Sequence, residues 1–516
     1  MEKTKARKER IFSNTKFGIV KVIVQYLLQF VIKTVFIHTL GREYLGLNGL
    51  FTNIIGCLSI AELGIGTAIV YSMYKPIAEN DYDKIRSLHG LYKKIYFVIA
   101  AIIAAAGIAL APFLKYIIKS GIPEDINLYV IYGMTVFTTV VGYIGAHNRS
   151  LIIANQRDDV ESKVSIVKLF LLYTLQAILL YFTKNYYFYL ICSVVFAIAE
   201  NIFLYFAAKK LFPWIKGNAN KIDEQTKKEI TKNVYALGMQ QVGGALVTST
   251  DNILISSMIG LAILGSYSNY NMIIMAITSV ITIITTVTRS SAGNLIATSN
   301  PEYVYERYKT LDFIVSWISG FCAIALLCLL DPFILIWTGS KEYLIDFSLV
   351  IVLIVNFFIS NTIALTRTFK VSAGLMWFDR WKTIIQGVIN IIFSILFAHF
   401  FGLIGIFLGT LVCYAVPMFM EPYVLYKHYF KKNQGLFWGR YLIFAAITVG
   451  AGALTYFVCS LLPQTGILWF VVKGLICLTI PNIIYLVCYA KSNEFKETIS
   501  IVKTVIFKRK KANYEK

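Results

Sequence analysis

Charge is scarce in this sequence, and acidic charge is scarcer than basic. Of 516 residues only 15% are Asp, Glu, Lys or Arg, 28 acidic against 49 basic, while 57% are hydrophobic. Soluble domains carry roughly a quarter charged residues, so a soluble fold is excluded. The few histidines, His38, His89, His147, His399 and His428, are scattered, and no HExxH, Walker or GxSxG signature appears. The eight cysteines (Cys57, Cys192, Cys322, Cys328, Cys413, Cys459, Cys477 and Cys488) all lie in apolar runs and form no CxxC. They read as small packing residues, so neither a disulfide framework, a metal site nor any other cofactor is indicated.

What the sequence does have is apolar runs. A helix needs roughly 20 apolar residues to cross about 30 Å of hydrocarbon, and about fourteen runs reach that length. They lie at 17–40, 47–74, 95–118, 128–148, 164–183, 187–208, 233–259, 267–298, 311–337, 347–375, 383–401, 406–426, 441–462 and 467–490. The expected fold class is an all-α integral membrane protein. The segment 1–16 is basic, and the run after it is too long for a signal-peptide core and lacks a small-residue cleavage site. It is therefore read as retained, with the N-terminus inside.

Alternating from that start, the inner segments hold 37 of the 49 Lys and Arg, and the outer turns hold four: Arg42, Lys119, Lys184 and Lys341. That asymmetry predicts a multi-pass protein of the plasma membrane with both termini cytoplasmic. It also accounts for the net charge of +21. Basic residues at helix ends face an anionic leaflet, each adding about 1 kcal/mol of attraction; nucleic-acid binding is not expected. The longest outer loops, near 119–127 and 338–346, carry no cluster of acids or histidines. A glycosyl-transferring enzyme needs such groups at the membrane face, so an enzyme is not expected.

The outline of the chain repeats after about 219 residues. Leu40-Gly41-Arg42-Glu43-Tyr44-Leu45-Gly46 returns as Ile259-Gly260-Leu261-Ala262-Ile263-Leu264-Gly265, each followed by a long apolar run and a polar segment. The organisation predicted is a basic tail (1–16), a six-helix lobe (17–210), an inter-lobe linker (211–232), a second six-helix lobe (233–430), a last helix pair (431–490) and a basic tail (491–516). Because each lobe has an even number of helices, the two are expected to be related by a pseudo-twofold axis along the membrane normal.

Charges inside apolar runs are the candidates for function, since such residues usually face a bundle interior or a wet cavity. Lys168 and Glu200, at similar depth on the fifth and sixth helices, read as a structural ion pair within the first lobe. Lys21 on the first helix and Arg289 on the eighth lie near inner ends. Each either snorkels to the interface or helps form a cationic mouth for an anionic headgroup; Arg149, Arg367 and Lys370 join that candidate set. The repeat carries Lys33 onto Asn252, the neighbour of Asp251, so Lys33 and Asp251 share a depth near the outer third. They either form an outer gate or pair separately within their lobes. Glu62, in Ala61-Glu62-Leu63-Gly64-Ile65-Gly66, is too deep to snorkel; it pairs with Lys21 or Lys33, or carries a coupling proton or cation.

The stretch from Tyr44 to Asp83 closely resembles bacterial Wzx-type polysaccharide flippases. The resemblance is carried by Glu43-Tyr44-Leu45-Gly46-Leu47-Asn48-Gly49-Leu50-Phe51, Ala61-Glu62-Leu63-Gly64-Ile65-Gly66-Thr67-Ala68 and Tyr74-Lys75-Pro76-Ile77-Ala78. Leu264-Gly265-Ser266-Tyr267-Ser268-Asn269-Tyr270 and Asp331-Pro332-Phe333-Ile334-Leu335-Ile336-Trp337-Thr338-Gly339 extend it. These flippases fall in the superfamily of multidrug and toxin extrusion exporters and the lipid II flippase. The resemblance implies two six-helix lobes plus two C-terminal helices, alternating between inward-open and outward-open states. Its implied substrate is an undecaprenyl-pyrophosphate-linked oligosaccharide, moved outward for surface polysaccharide synthesis, with a polysaccharide polymerase and assembly proteins as partners. Basic residues on the first and eighth helices of the lipid II flippase lineage are implicated in headgroup binding, and Lys21 and Arg289 match these by helix and depth. Membrane potential, or H+ or Na+ coupling through Glu62 or Asp251, would supply the drive. Two other readings use the same scaffold: a cation-coupled exporter of soluble cationic compounds, and a non-transporting scaffold of a polysaccharide assembly complex.

Overall fold

The computed structural model describes residues 2–62, 65–215, 228, 230, 249–500 and 503. Among them every regular element is a helix, and no strand occurs. The first half runs α1 (Glu2–Thr39), α2 (Arg42–Leu58), α3 (Ile65–Glu79), α4 (Tyr82–Leu110), α5 (Leu128–Ile144), α6 (Ala146–Ala154), α7 (Asp158–Thr183) and α8 (Tyr186–Leu211). After a helical segment at 249–258 come α9 (Leu261–Thr298), α10 (Pro301–Thr338), α11 (Phe347–Thr362), α12 (Ala364–Ser372), α13 (Lys382–Phe401), α14 (Leu403–Leu425), α15 (Gly435–Ser460) and α16 (Ile467–Tyr489).

The repeat is visible in how helices begin. Gly41 before α2 and Gly260 before α9 both have positive φ, 92° and 134°, a conformation open mainly to glycine. The side chain of Asp81 accepts from the Lys84 N–H to cap α4, and that of Asn300 accepts from the Tyr303 N–H to cap α10, with Pro301 in the first turn. Each cap fills an otherwise orphaned donor at a helix start. The members of each pair lie about 219 residues apart, as do the starts of α5 and α11.

Eleven of the described helices are long and apolar enough to cross a membrane, or twelve if one bent pair counts as a span. The chain is a multi-pass membrane protein. The expected run 47–74 is no single helix: α2 ends at Leu58, a 3₁₀ turn covers Ser59–Glu62, and α3 starts at Ile65. The run 128–148 bends by 42° between α5 and α6. There Asn201 of α8 donates its side-chain amide to the Val141 carbonyl at 2.5 Å, and a Cβ on Gly145 would collide with the same side chain. A side chain that takes a carbonyl out of the helical ladder bends the helix. The run 233–259 falls mostly outside the described residues, as does most of the expected linker 211–232.

The chain divides into two compact units, Met1–Ser268 and Asn269–Lys516, with the division falling inside α9. In unit 1, α1 packs along α7, α4 on α5, and α7 on α8, and Ile69, Met73, Tyr92, Ile103, Leu151 and Leu204 belong to its buried core. In unit 2, α13 and α14 form the closest pair, and α15 and α16 both pack on α10. Lipid offers helices little reason to separate or to join, so close backbone approach and buried hydrogen bonds hold such pairs. At α13 and α14, Gly405 and Gly409 leave room for the backbone of Phe397 and Ser394. Asn390 donates to Thr410 at 3.0 Å and Ser394 to the Ile406 carbonyl at 2.9 Å.

The two glycines matched by the repeat, Gly46 and Gly265, face one another within unit 1. A Cβ on Gly46 would land on the Leu261 carbonyl, and one on Gly265 on the Arg42 carbonyl. The start of α9 therefore crosses α2 backbone to backbone. Close by, the Lys33 ammonium donates to the Ser268 carbonyl at 2.6 Å, tying α1 to the same crossing.

Candidate functional site

In unit 1, charges from four helices form one chain of ion pairs. Lys21 Nζ of α1 lies 2.9 Å from both carboxylate oxygens of Glu161 on α7, and Ser165 donates to the same carboxylate at 3.0 Å. Glu161 is also 3.6 Å from Arg149 Nε on α6. The Arg149 guanidinium then donates to Glu200 of α8 at 2.7 Å, and Lys168 of α7 donates to the other Glu200 oxygen at 2.9 Å. Both carboxylates are buried, whereas the Arg149 side chain stays 40% exposed. Three cations on two anions leave one positive charge in surplus. A guanidinium carries five N–H donors, so Arg149, fixed through one edge, keeps donors to offer.

Unit 2 repeats this arrangement with different residues. Arg367 Nε of α12 donates to Glu421 of α14 at 3.0 Å, and Lys382 at the start of α13 joins the same oxygen. Lys370 lies 3.8 Å from Glu421 and also pairs with Asp379, which is 3.3 Å from Lys382. Glu421 is fully buried, while Arg367 keeps 45% of its side chain exposed. Again three cations meet two anions. Arg149 and Arg367, Glu161 and Asp379, Glu200 and Glu421 are separated by about the repeat length of 219 residues, so each half seats an arginine on a buried glutamate at the same station.

A comparison with known families matches residues 11–289 to the family described as polysaccharide biosynthesis protein. The chain belongs to that family. Its fold is shared with solved membrane transporters, among them ones described as belonging to the MOP superfamily. The structure of MurJ, described as the lipid II flippase in an inward closed conformation, aligns with a TM-score of 0.66 at 14% identity, over 92% of this chain and 99% of that one. An inward-facing multidrug resistance MATE family transporter aligns at 0.61 and 16% identity, over 78% and 94%. The Vibrio cholerae MATE transporter VcmN in its bent form gives 0.55 and 16%, over 83% and 98%. No curated protein matches the sequence.

The family member's other charges fall as follows. Lys168 and Glu200 meet, with Arg149 as a third partner that depth along the helices did not indicate. Lys21 does not stand free as a mouth cation: Glu161 holds it on both oxygens. Lys370, expected among the headgroup contacts, is buried and paired with Asp379. Arg289 is exposed on α9, and its backbone carbonyl accepts from Ser372 at the end of α12 at 3.1 Å, so it sits beside the helix that carries Arg367. Lys33 donates to the Ser268 carbonyl, and Asp251 is buried in the same unit. Glu62 meets neither Lys21 nor Lys33; its carboxylate and the Tyr96 hydroxyl both lie beside Gly66.

Four partners escaped the sequence reading. Glu161, Asp379 and Lys382 lie at the edges of polar inner segments, where charge is ordinary. Glu421 carried a signal that was passed over: it is an acid inside the apolar run 406–426, one repeat length beyond Glu200. For a metal, one group of three or more possible ligands occurs among the described residues: Cys328, Cys459 and Cys477.

Proposed function

We propose that this protein is a flippase that moves an undecaprenyl-pyrophosphate-linked oligosaccharide from the cytoplasmic to the outer face of the plasma membrane by alternating access. The family match and the fold support a transporter acting in polysaccharide synthesis. The observation that carries the substrate class is the doubled arginine station. Arg149 and Arg367 each rest on a buried glutamate and keep about two-fifths of their side chains open.

A pyrophosphate cannot enter hydrocarbon unaided, because unsolvated ionised oxygens cost many kcal/mol. Arginines fixed in place and with donors to spare replace that lost water, and their planar forks suit phosphate oxygens. Within unit 2, Arg289, exposed beside α12, adds a second cation to that of Arg367. The carboxylates beneath pre-orient the arginines and lower the local surplus to one charge in each unit, which lets the headgroup leave as well as bind. Outward movement of negative charge releases about 2.3 kcal/mol per charge per 100 mV of inside-negative potential, so membrane potential supplies a drive without nucleotide. A polysaccharide polymerase and assembly proteins are the partners this reading implies.

Depletion of the protein in its host, followed by fractionation of lipid-linked glycans, tests the reading. The expected result is accumulation of a lipid-linked oligosaccharide that an outside-added glycosidase cannot reach. Unchanged glycan levels, together with sensitivity to cationic drugs, would replace the substrate class with soluble cations.

A further inference from the structure

Three cysteines from three different helices meet inside unit 2. Cys328 of α10, Cys459 of α15 and Cys477 of α16 are buried free thiols, and their sulfur atoms lie within 4.8 Å of one another. They belong to the apolar cluster that seats α15 and α16 on α10, together with Ile324, Phe444, Ala451 and Tyr485. Spacing along the chain gave no hint of this, because each thiol comes from a different helix.

Beside the thiols sits a cation in want of a counter-charge. Lys473 lies one helical turn before Cys477 on α16, so the two share a face, and it is 3% exposed. No carboxylate of the described residues pairs with it. An uncompensated buried ammonium costs several kcal/mol, and the groups at hand that can turn negative are these sulfurs. Clustered thiolates select soft cations, and charge decides which. Three thiolates, one ammonium and a divalent ion sum to zero, whereas a monovalent ion leaves a net negative charge in an apolar site.

We propose that Cys328, Cys459 and Cys477 form a buried site for a soft divalent metal ion of the Zn2+ class, with Lys473 as the balancing charge. Three thiol protons leave to solvent as three metal–sulfur bonds form. Zn–S bonds of about 2.3 Å put tetrahedral sulfurs about 3.8 Å apart, so the triangle has to close by no more than about 1 Å. The ion fastens α15 and α16, the pair outside the repeat, to α10 inside it.

The test uses the full chain in detergent, kept reduced, stripped with chelator and titrated with Cd2+, whose thiolate charge-transfer absorption reports binding. One Cd2+ per chain is expected, displaced by Zn2+. Cys328→Ser, Cys459→Ser and Cys477→Ser should each abolish the band, Cys192→Ser and Cys413→Ser should keep it, and Lys473→Met should weaken affinity about 10- to 100-fold. As a check that needs no variant, Zn2+ should protect these three thiols of the unaltered chain from a membrane-permeant maleimide and leave Cys192 as reactive as before. Absence of Cd2+ binding, binding that survives loss of all three cysteines, or a disulfide joining two of them in the untreated protein overturns the proposal.

Discussion

Replacing Glu421 by glutamine keeps its shape and removes its charge, which makes it the most direct probe of what holds unit 2. The carboxylate is fully buried and faces Arg367, Lys370 and Lys382 at distances of up to 3.8 Å. After Glu421→Gln, Asp379 alone balances three cations. Arg367, 45% exposed, loses little, but the side chains of Lys370 and Lys382 are only 3% and 8% exposed. Breaking a buried pair from one side costs about 3–5 kcal/mol, and two trapped ammoniums place this substitution within that range. Glu200→Gln is the control. Its partners Arg149 and Lys168 are 40% and 25% exposed and can turn to the interface, so the loss should be nearer that of a charged hydrogen bond, about 1.5–3 kcal/mol. Both variants are compared with the unaltered chain by thermal unfolding in detergent. Adding Lys382→Met to Glu421→Gln should recover part of the loss. The reasoning fails if Glu421→Gln unfolds no earlier than Glu200→Gln, or if removing Lys382 deepens the defect.

Arg149→Lys and Arg367→Lys should each retain the fold but cut flipping of a labelled lipid-linked glycan in proteoliposomes at least about tenfold, because an ammonium cannot hold its glutamate and present a fork at once; undiminished flipping would remove both arginines from the site. Gly46→Ala and Gly265→Ala should each abolish monodisperse protein on size exclusion, since the methyl group meets backbone that cannot yield, whereas Gly49→Ala, with nothing within 4 Å, should leave the yield intact. Reversing both charges at Lys33 and Asp251 should be no better than the worse single reversal, because Lys33 is held by a carbonyl; full rescue would show that the two side chains meet in another state of the transport cycle.

Much of the fold was written in local signals. The glycines at 41 and 260 need no partner to act, nor do the caps at Asp81 and Asn300, and so the repeat could be read from letters alone. Apolar runs located the long helices for the same reason. The breaks were less legible. The bend after α5 depends on Asn201, which arrives from another helix, and the second run is interrupted next to an acid whose partner Tyr96 lies on α4. Depth along a straight helix put Lys168 beside Glu200, because both stand on unbroken helices. The same measure did not find the surroundings of Glu62, which closes a 3₁₀ turn, or the partner of Lys21, since Glu161 sits in a segment taken as a polar loop edge. Pairing between helices is a property of packing, and one sequence holds no direct record of it.

The glycine crossing has a consequence for the history of the chain. Position 46 meets the carbonyl of residue 261 and position 265 meets that of residue 42, so the two partners exchange the same contact in both directions, as identical subunits do across an isologous interface. A half-length ancestor could have made that contact with a second copy of itself before fusion joined them. In such a pair any change at the shared glycine would have met backbone twice.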